Sequence, residues 1–185
     1  LAKINPIFNA VNYATMNLLA VYAVIFIAYE LAKYYQLKDK ITCAAVAFAA
    51  YITLCSTIVL VTIDVSTEPV EVAHVLSSTY TGVQGLFLAM IVAVVATELY
   101  RITSKVEKFK IHMPDSVPSN IAAAFNALIP GLIVIFSISA FGCIFEIMAG
   151  MTLFEAVNLV IQKPLQGLLT GLPGYLFIFF MTTVL

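Results

Sequence analysis

Residues 98–131 read ELYRITSKVEKFKIHMPDSVPSNIAAAFNALIPG, and the reading of this stretch decides the fold. It leaves one long apolar segment at Glu98, passes Arg101, Lys105, Lys108 and Lys110, crosses Pro114 and Pro118, and enters a second apolar segment at Ile121. Each proline lacks an amide donor and restrains the residue before it, so a helix arriving from Glu98 cannot continue through them. Ser119 or Asn120 then stands where a side-chain oxygen caps the next helix. The stretch therefore reads as a wet turn between two helices that sit in a bilayer.

Composition agrees with that setting. Of the 185 residues 62% are hydrophobic and 10% charged, with a mean hydropathy of +1.04, where soluble domains carry about 25% charged residues. Too few charges remain to clothe a soluble surface, and the expectation is an all-α, polytopic membrane protein, a helical bundle in contact with the lipid bilayer. A net charge of −1 and no tract of basic residues alternating with aromatics give no support for nucleic-acid binding. Cys43, Cys55 and Cys143 lie in apolar runs without paired spacing, which suits buried thiols rather than metal or redox chemistry. No nucleotide loop, metal-ligand spacing or nucleophile with a basic partner is visible, so neither a cofactor nor a catalytic residue is expected.

Working outward, the spans fall at about 4–32, 41–63, 80–101 and 119–147, forming a helix group over 1–150 with a turn at 102–118. Asn5, Asn9, Asn12 and Asn17 make the first span polar at its start, where asparagines cap a helix or bond across to a neighbour. The second is rich in Ala, Thr and β-branched residues, small enough to pack inside a bundle. After it, Asp64, Glu68, Glu71 and His74 form an acidic loop without Lys or Arg. Lys33, Lys38 and Lys40 join the four basic residues of the opening stretch on one side, seven of the nine in the chain. The positive-inside rule makes that side cytoplasmic and the acidic loop external. Glu98 and Arg101, three apart, share a helix face and pair at the membrane surface; the sharper alternative is an intramembrane carboxylate on a substrate path. His74 reads as a solvated loop histidine, Glu146 as interfacial, and Pro130 as a kink inside the fourth span.

Residues 151–171 form an amphipathic helix in this reading, Glu155, Asn158, Gln162 and Gln166 on one stripe and Phe154, Val157, Ile161 and Leu165 on the other. It suits a helix lying in the interface or re-entering the bundle, kinked by Pro164. Residues 172–185 begin a further apolar run, and the expectation is that the chain is a piece of a longer membrane protein.

The wording of Met113, Pro114, Asp115, Ser116, Val117 and Pro118, followed by Asn120, Phe125, Leu128 and Pro130, resembles the membrane component, enzyme IIC, of the bacterial phosphoenolpyruvate-dependent sugar phosphotransferase system, in its lactose, cellobiose and diacetylchitobiose branch. The resemblance implies a permease of about ten helices in the bacterial inner membrane, working as a homodimer that carries a disaccharide inward. A cytoplasmic IIB partner would phosphorylate the bound sugar. It also implies that this chain lacks the family's first helix and the sugar-binding half, so no sugar-contacting residue is carried over. Alternating access would move one helix group against the other, with the amphipathic helix coupling them. Arg101, Lys105, Lys108 and Lys110 fit either a seat for the phosphorylated partner or simple anchoring of orientation. The competing class is a structural or oligomerisation module of an unrelated secondary transporter.

Overall fold

The computed structural model describes residues 5–61, 70–107 and 119–164, together with residues 180 and 183. Expectations that rest on Asp64, Glu68, Lys108, Lys110, the Met113 to Pro118 motif, Leu165 and Gln166 lie outside the described residues.

Helices α1 (Asn5–Thr15) and α2 (Leu19–Tyr34) are joined by a tight turn, Met16–Leu18, of 3₁₀ type. The turn interrupts the main-chain ladder, and side chains take up the freed carbonyls. Thr15 Oγ1 donates back to Val11 O at 2.8 Å, and the Tyr22 hydroxyl donates to Ala14 O at 2.9 Å. At Asn17 the main chain rather than an asparagine side-chain pattern supplies the tie, its backbone carbonyl accepting from Thr81 Oγ1 at 2.5 Å.

The second expected span differs in the structure. Helix α3 covers Lys40–Thr53 only, and strand β1 (Ile58–Val61) pairs antiparallel with β2 (Val70–Ala73), Ile58 opposite Ala73 and Val61 opposite Val70. The reason is local: Ser56 Oγ bonds its own chain at Ile58, a competitor for helical hydrogen bonds, and the β-branched Ile58, Val59 and Val61 suit a pleated strand. The acidic segment is thus partly a hairpin. It continues into the short helix α4 (Ser78–Thr81), capped by Ser77, then a 3₁₀ turn at Val83–Gly85 and helix α5 (Leu86–Lys105). His74 is exposed after β2, as expected of a loop histidine.

Helix α6 (Ser119–Ala149) contains Pro130, and α7 (Leu153–Val157) follows. Among the described residues three helical runs are long and apolar enough to cross a membrane: Pro6–Tyr34, Val83–Lys105 and Phe125–Ala149.

The core lies between α2, α3 and α5, and it is built from small side chains. On α2, Ala20, Val24, Ala28 and Ala32 recur every fourth residue and are fully buried; Ala47 and Ala50 of α3 and Ala89 and Ala93 of α5 are buried with them. In lipid the hydrophobic effect does not drive one helix onto another, so close backbone approach and dispersion must do so, and small residues allow it. Helix α6 packs on α3 and α5, with Ala127, Gly131, Val134, Ile138 and Gly142 buried along one ridge. A Cβ at Gly131 would stand 2.8 Å from Val46 Cγ2, and one at Gly142 would run into Leu54.

The amphipathic helix departs from its expected stripe at one residue. Phe154 is buried and Glu155 exposed, as its pattern requires, but Gln162 is buried too. A π turn at Asn158–Gln162 is the cause. It holds one residue more than an α turn, which rotates everything after it.

Candidate functional site

Sequence reasoning placed the working surface at the basic end of the bundle, and the backbone brings that end together. Helix α2 stops in a cap in which Leu37 N bonds Ala32 O at 3.0 Å and Gln36 N bonds Lys33 O at 3.1 Å. This is the Schellman pattern, and it needs a left-handed residue, supplied by Gln36 at φ 54°. The turn delivers Tyr35 against the last turns of α5.

There Arg101 is held from two sides. Its Nη2 and Nε lie 2.8 Å and 2.9 Å from Glu98 Oε2, and its guanidinium sits over the Tyr35 ring, 5.0 Å from the centroid. The Tyr35 hydroxyl also bonds Glu98, and that bond is the main reason its pKa is pushed above the ordinary value, with desolvation second and the negative charge of Glu98 adding to both. The surface pair expected at Glu98 and Arg101 is therefore present, and Tyr35 completes it. Tyr35 was missed in the sequence because nothing in its spacing distinguishes it from the neighbouring Tyr34, whose ring meets it edge-on at 5.4 Å.

Among the four candidate docking residues, then, Arg101 is committed within the fold, with its charge largely answered by Glu98. Lys105 ends α5 and is exposed. Lys33 pairs with Glu30 at 3.2 Å in an exposed bridge worth little on its own, and Lys38 is exposed. Among the described residues this end can present positive charge to a partner through Lys38 and Lys105.

The opposite end is tied differently. The Tyr51 hydroxyl, at the end of α3, donates to Tyr80 O at 2.6 Å, and the Tyr80 ring lies 4.6 Å from that of Phe154 on α7. So α7 sits at the end away from Arg101. Between α5 and α6 an apolar groove of about 490 Å³ is lined by Leu54, Val95, Ser137, Phe141 and Leu153, among others. The Ser137 hydroxyl donates to Ile133 O at 2.7 Å, and the other described residues that line the groove carry apolar side chains. Among the described residues no three His, Cys, Asp or Glu side chains gather to hold a metal.

Comparison with known proteins agrees with this picture of a helical membrane bundle. The family model described as "Phosphotransferase system, EIIC" matches residues 1–185. The chain is 34% identical to the lichenan permease IIC component of Bacillus subtilis (strain 168), over 88% of this chain and 36% of that one. It is 32% identical to the cellobiose-specific EIIC component of Geobacillus stearothermophilus, over 84% of this chain and 34% of the other. Among solved structures it resembles the transporter ChbC, the IIC component from the N,N'-diacetylchitobiose-specific phosphotransferase system, with a TM-score of 0.78 and 34% identity over 90% of this chain and 39% of that one. The chain thus spans a little over a third of the length of the relatives it matches, and an unrelated secondary transporter is set aside. It is an all-α membrane bundle and belongs to the EIIC family of the phosphotransferase system.

Proposed function

We propose that this chain is part of the sugar-translocating IIC subunit of a bacterial phosphotransferase system, carrying a disaccharide of the cellobiose, diacetylchitobiose or lactose type inward for phosphorylation by a cytoplasmic IIB partner. The observation that carries the reading is the family match along the whole chain, supported by relatives whose names specify lichenan and cellobiose. The protein is a multi-pass component of the inner membrane and works as a homodimer. Its basic end, bearing Lys33, Lys38, Lys40 and Lys105, faces the cytoplasm by the positive-inside rule. Helix α3 makes the second pass although short, because its two ends lie at opposite ends of the bundle. Sugar uptake by alternating access then moves the rest of the protein against this bundle, with the amphipathic helix after Gly150 as the coupling. Cross-linking the polar stripe of that helix, from Asn158 onward, to the first three spans should block uptake, and transport that continued would count against the coupling.

The test is uptake of labelled cellobiose, diacetylchitobiose and lactose by the full-length transporter in membranes supplied with IIB and the phosphoryl donor chain. One of them should accumulate as its phosphate; if none does, the reading fails. For docking, Lys105, Lys108 and Lys110 are the residues to reverse together. Phosphoryl transfer should slow several-fold and lose its salt sensitivity, whereas unchanged transfer leaves these lysines as orientation anchors.

A further inference from the structure

We propose that the helix over 153–162 has two registers, the π register seen in the structure and a regular α register, and that it exchanges between them. Three observations carry this. First, Gln162 is 9% exposed, and among the described residues no donor reaches its buried Oε1. A buried acceptor without a partner is a standing cost that any rearrangement reaching water removes. Second, the burial follows from the π turn. Eight residues separate Phe154 from Gln162, whereas two regular turns hold about seven; the extra residue at Asn158–Gln162 brings Gln162 back to the side of Phe154. In the α register Gln162 falls seven residues after Glu155 and joins it on the exposed polar stripe that the sequence pattern describes.

Third, the two ends of the helix differ in how firmly they are held. At its start Thr152 and Glu155 form a reciprocal capping box, Thr152 N bonding Glu155 Oε2 at 2.8 Å and Glu155 N bonding Thr152 Oγ1 at 3.2 Å. At its far end stands Pro164, which donates no main-chain bond in either register. The capped turn stays fixed on Tyr80 while the part from Asn158 onward rotates. Two packings of one helix, each with a distinct face toward α5, make a bistable element at the place where the bundle hands over to the rest of the chain. Its effect on uptake rests on the transport reading above; the register itself does not.

The experiment places Ala156→Cys and Lys163→Cys in the full-length transporter with its other cysteines replaced. These positions are seven apart, so they share a face only in the α register. A bis-maleimide reaching across two helical turns should cross-link them, and the linked protein should lose most of its uptake. Gln162→Leu removes the unpaired acceptor and holds the buried register. It should abolish the cross-link and raise the thermal midpoint. A pair that never cross-links, one that cross-links equally in Gln162→Leu, or a Gln162→Leu protein that is less stable than its parent overturns the proposal. A parent that carries no sugar breaks the transport reading alone, because the cross-linking pattern still decides the register.

Discussion

Helices α3 and α6 lie against each other and are alike in hydropathy: neither carries a charge over residues 41–53 of the one or 125–145 of the other. Yet α3 buries Cys43, Ala44, Val46, Ala47, Ala50 and Tyr51 along a broad face, while α6 buries one ridge and exposes Phe136, Phe141, Ile144, Ile147 and Met148. They differ in length as well. At 1.5 Å per residue the 14 residues of α3 reach about 21 Å and the 31 of α6 about 46 Å, on either side of a hydrocarbon core of about 30 Å. Hydropathy says only that a helix belongs in the membrane. What it faces there is written in side-chain size, because lipid accepts a large side chain and a neighbouring backbone does not.

The largest break in that contrast should come from enlarging the inside of α3. Ala47 has 0% exposure in a site already closed by α2 and α5, so Ala47→Leu forces backbone apart and should cost about 3 kcal/mol. Loss of folded protein in detergent, followed by thermal unfolding of the full-length transporter, reads it out. Next comes the end of α3. Tyr51→Phe removes the hydroxyl that donates to Tyr80 O at 2.6 Å and leaves a part-buried carbonyl unpaired, for about 1–2 kcal/mol. Because that bond ties the α3 end to the entry of α5, hydrogen exchange should rise at Ser78–Gly85 more than at Leu86–Lys105.

The seam between the two helices sharpens the comparison through coupling. Gly131→Ala sets a methyl 2.8 Å from Val46 Cγ2. The strain should outweigh the gain in helix propensity, for a net loss of about 1 kcal/mol. Val46→Ala removes the offending methyl. The double variant should therefore be more stable than the sum of the two single changes implies, by at least ~0.5 kcal/mol. Simple additivity would mean that α6 shifts to absorb the methyl and that the glycine is not what sets the approach.

Much of this was legible before any coordinates. Composition placed the chain in a membrane, the small residues of the expected span 41–63 pointed to a helix packed within the bundle, and Glu98 with Arg101 announced their pair by spacing alone. The end of α3 was not legible. Ile58, Val59 and Val61 are as apolar as any span residue, and only the competition from Ser56 and the pairing with Val70–Ala73 make them a strand. Tyr35 escaped for a different reason: its partners lie more than sixty residues away, and no local pattern encodes a stacking contact. Gln162 shows a third kind of failure. The helical stripe was read with a period of 3.6, and one π turn was enough to turn a correct polar pattern onto the wrong face.

The smallest effect is expected on the outside of α6, and it is informative because it should be small. Phe136 is 72% exposed. If it faces lipid, Phe136→Ala exchanges one apolar contact for another, and stability should change by no more than about 0.5 kcal/mol. The same substitution in a packed interior would cost about 3–5 kcal/mol. Thermal unfolding of the full-length protein in lipid nanodiscs therefore distinguishes the two cases by a wide margin. A small change keeps α6 as the lipid-facing partner of a buried α3. A loss of several kcal/mol would show that another part of the full-length protein covers this face, and the contrast between the helices would then be one of sequence order: α3 is enclosed by its immediate neighbours, α6 by residues far along the chain.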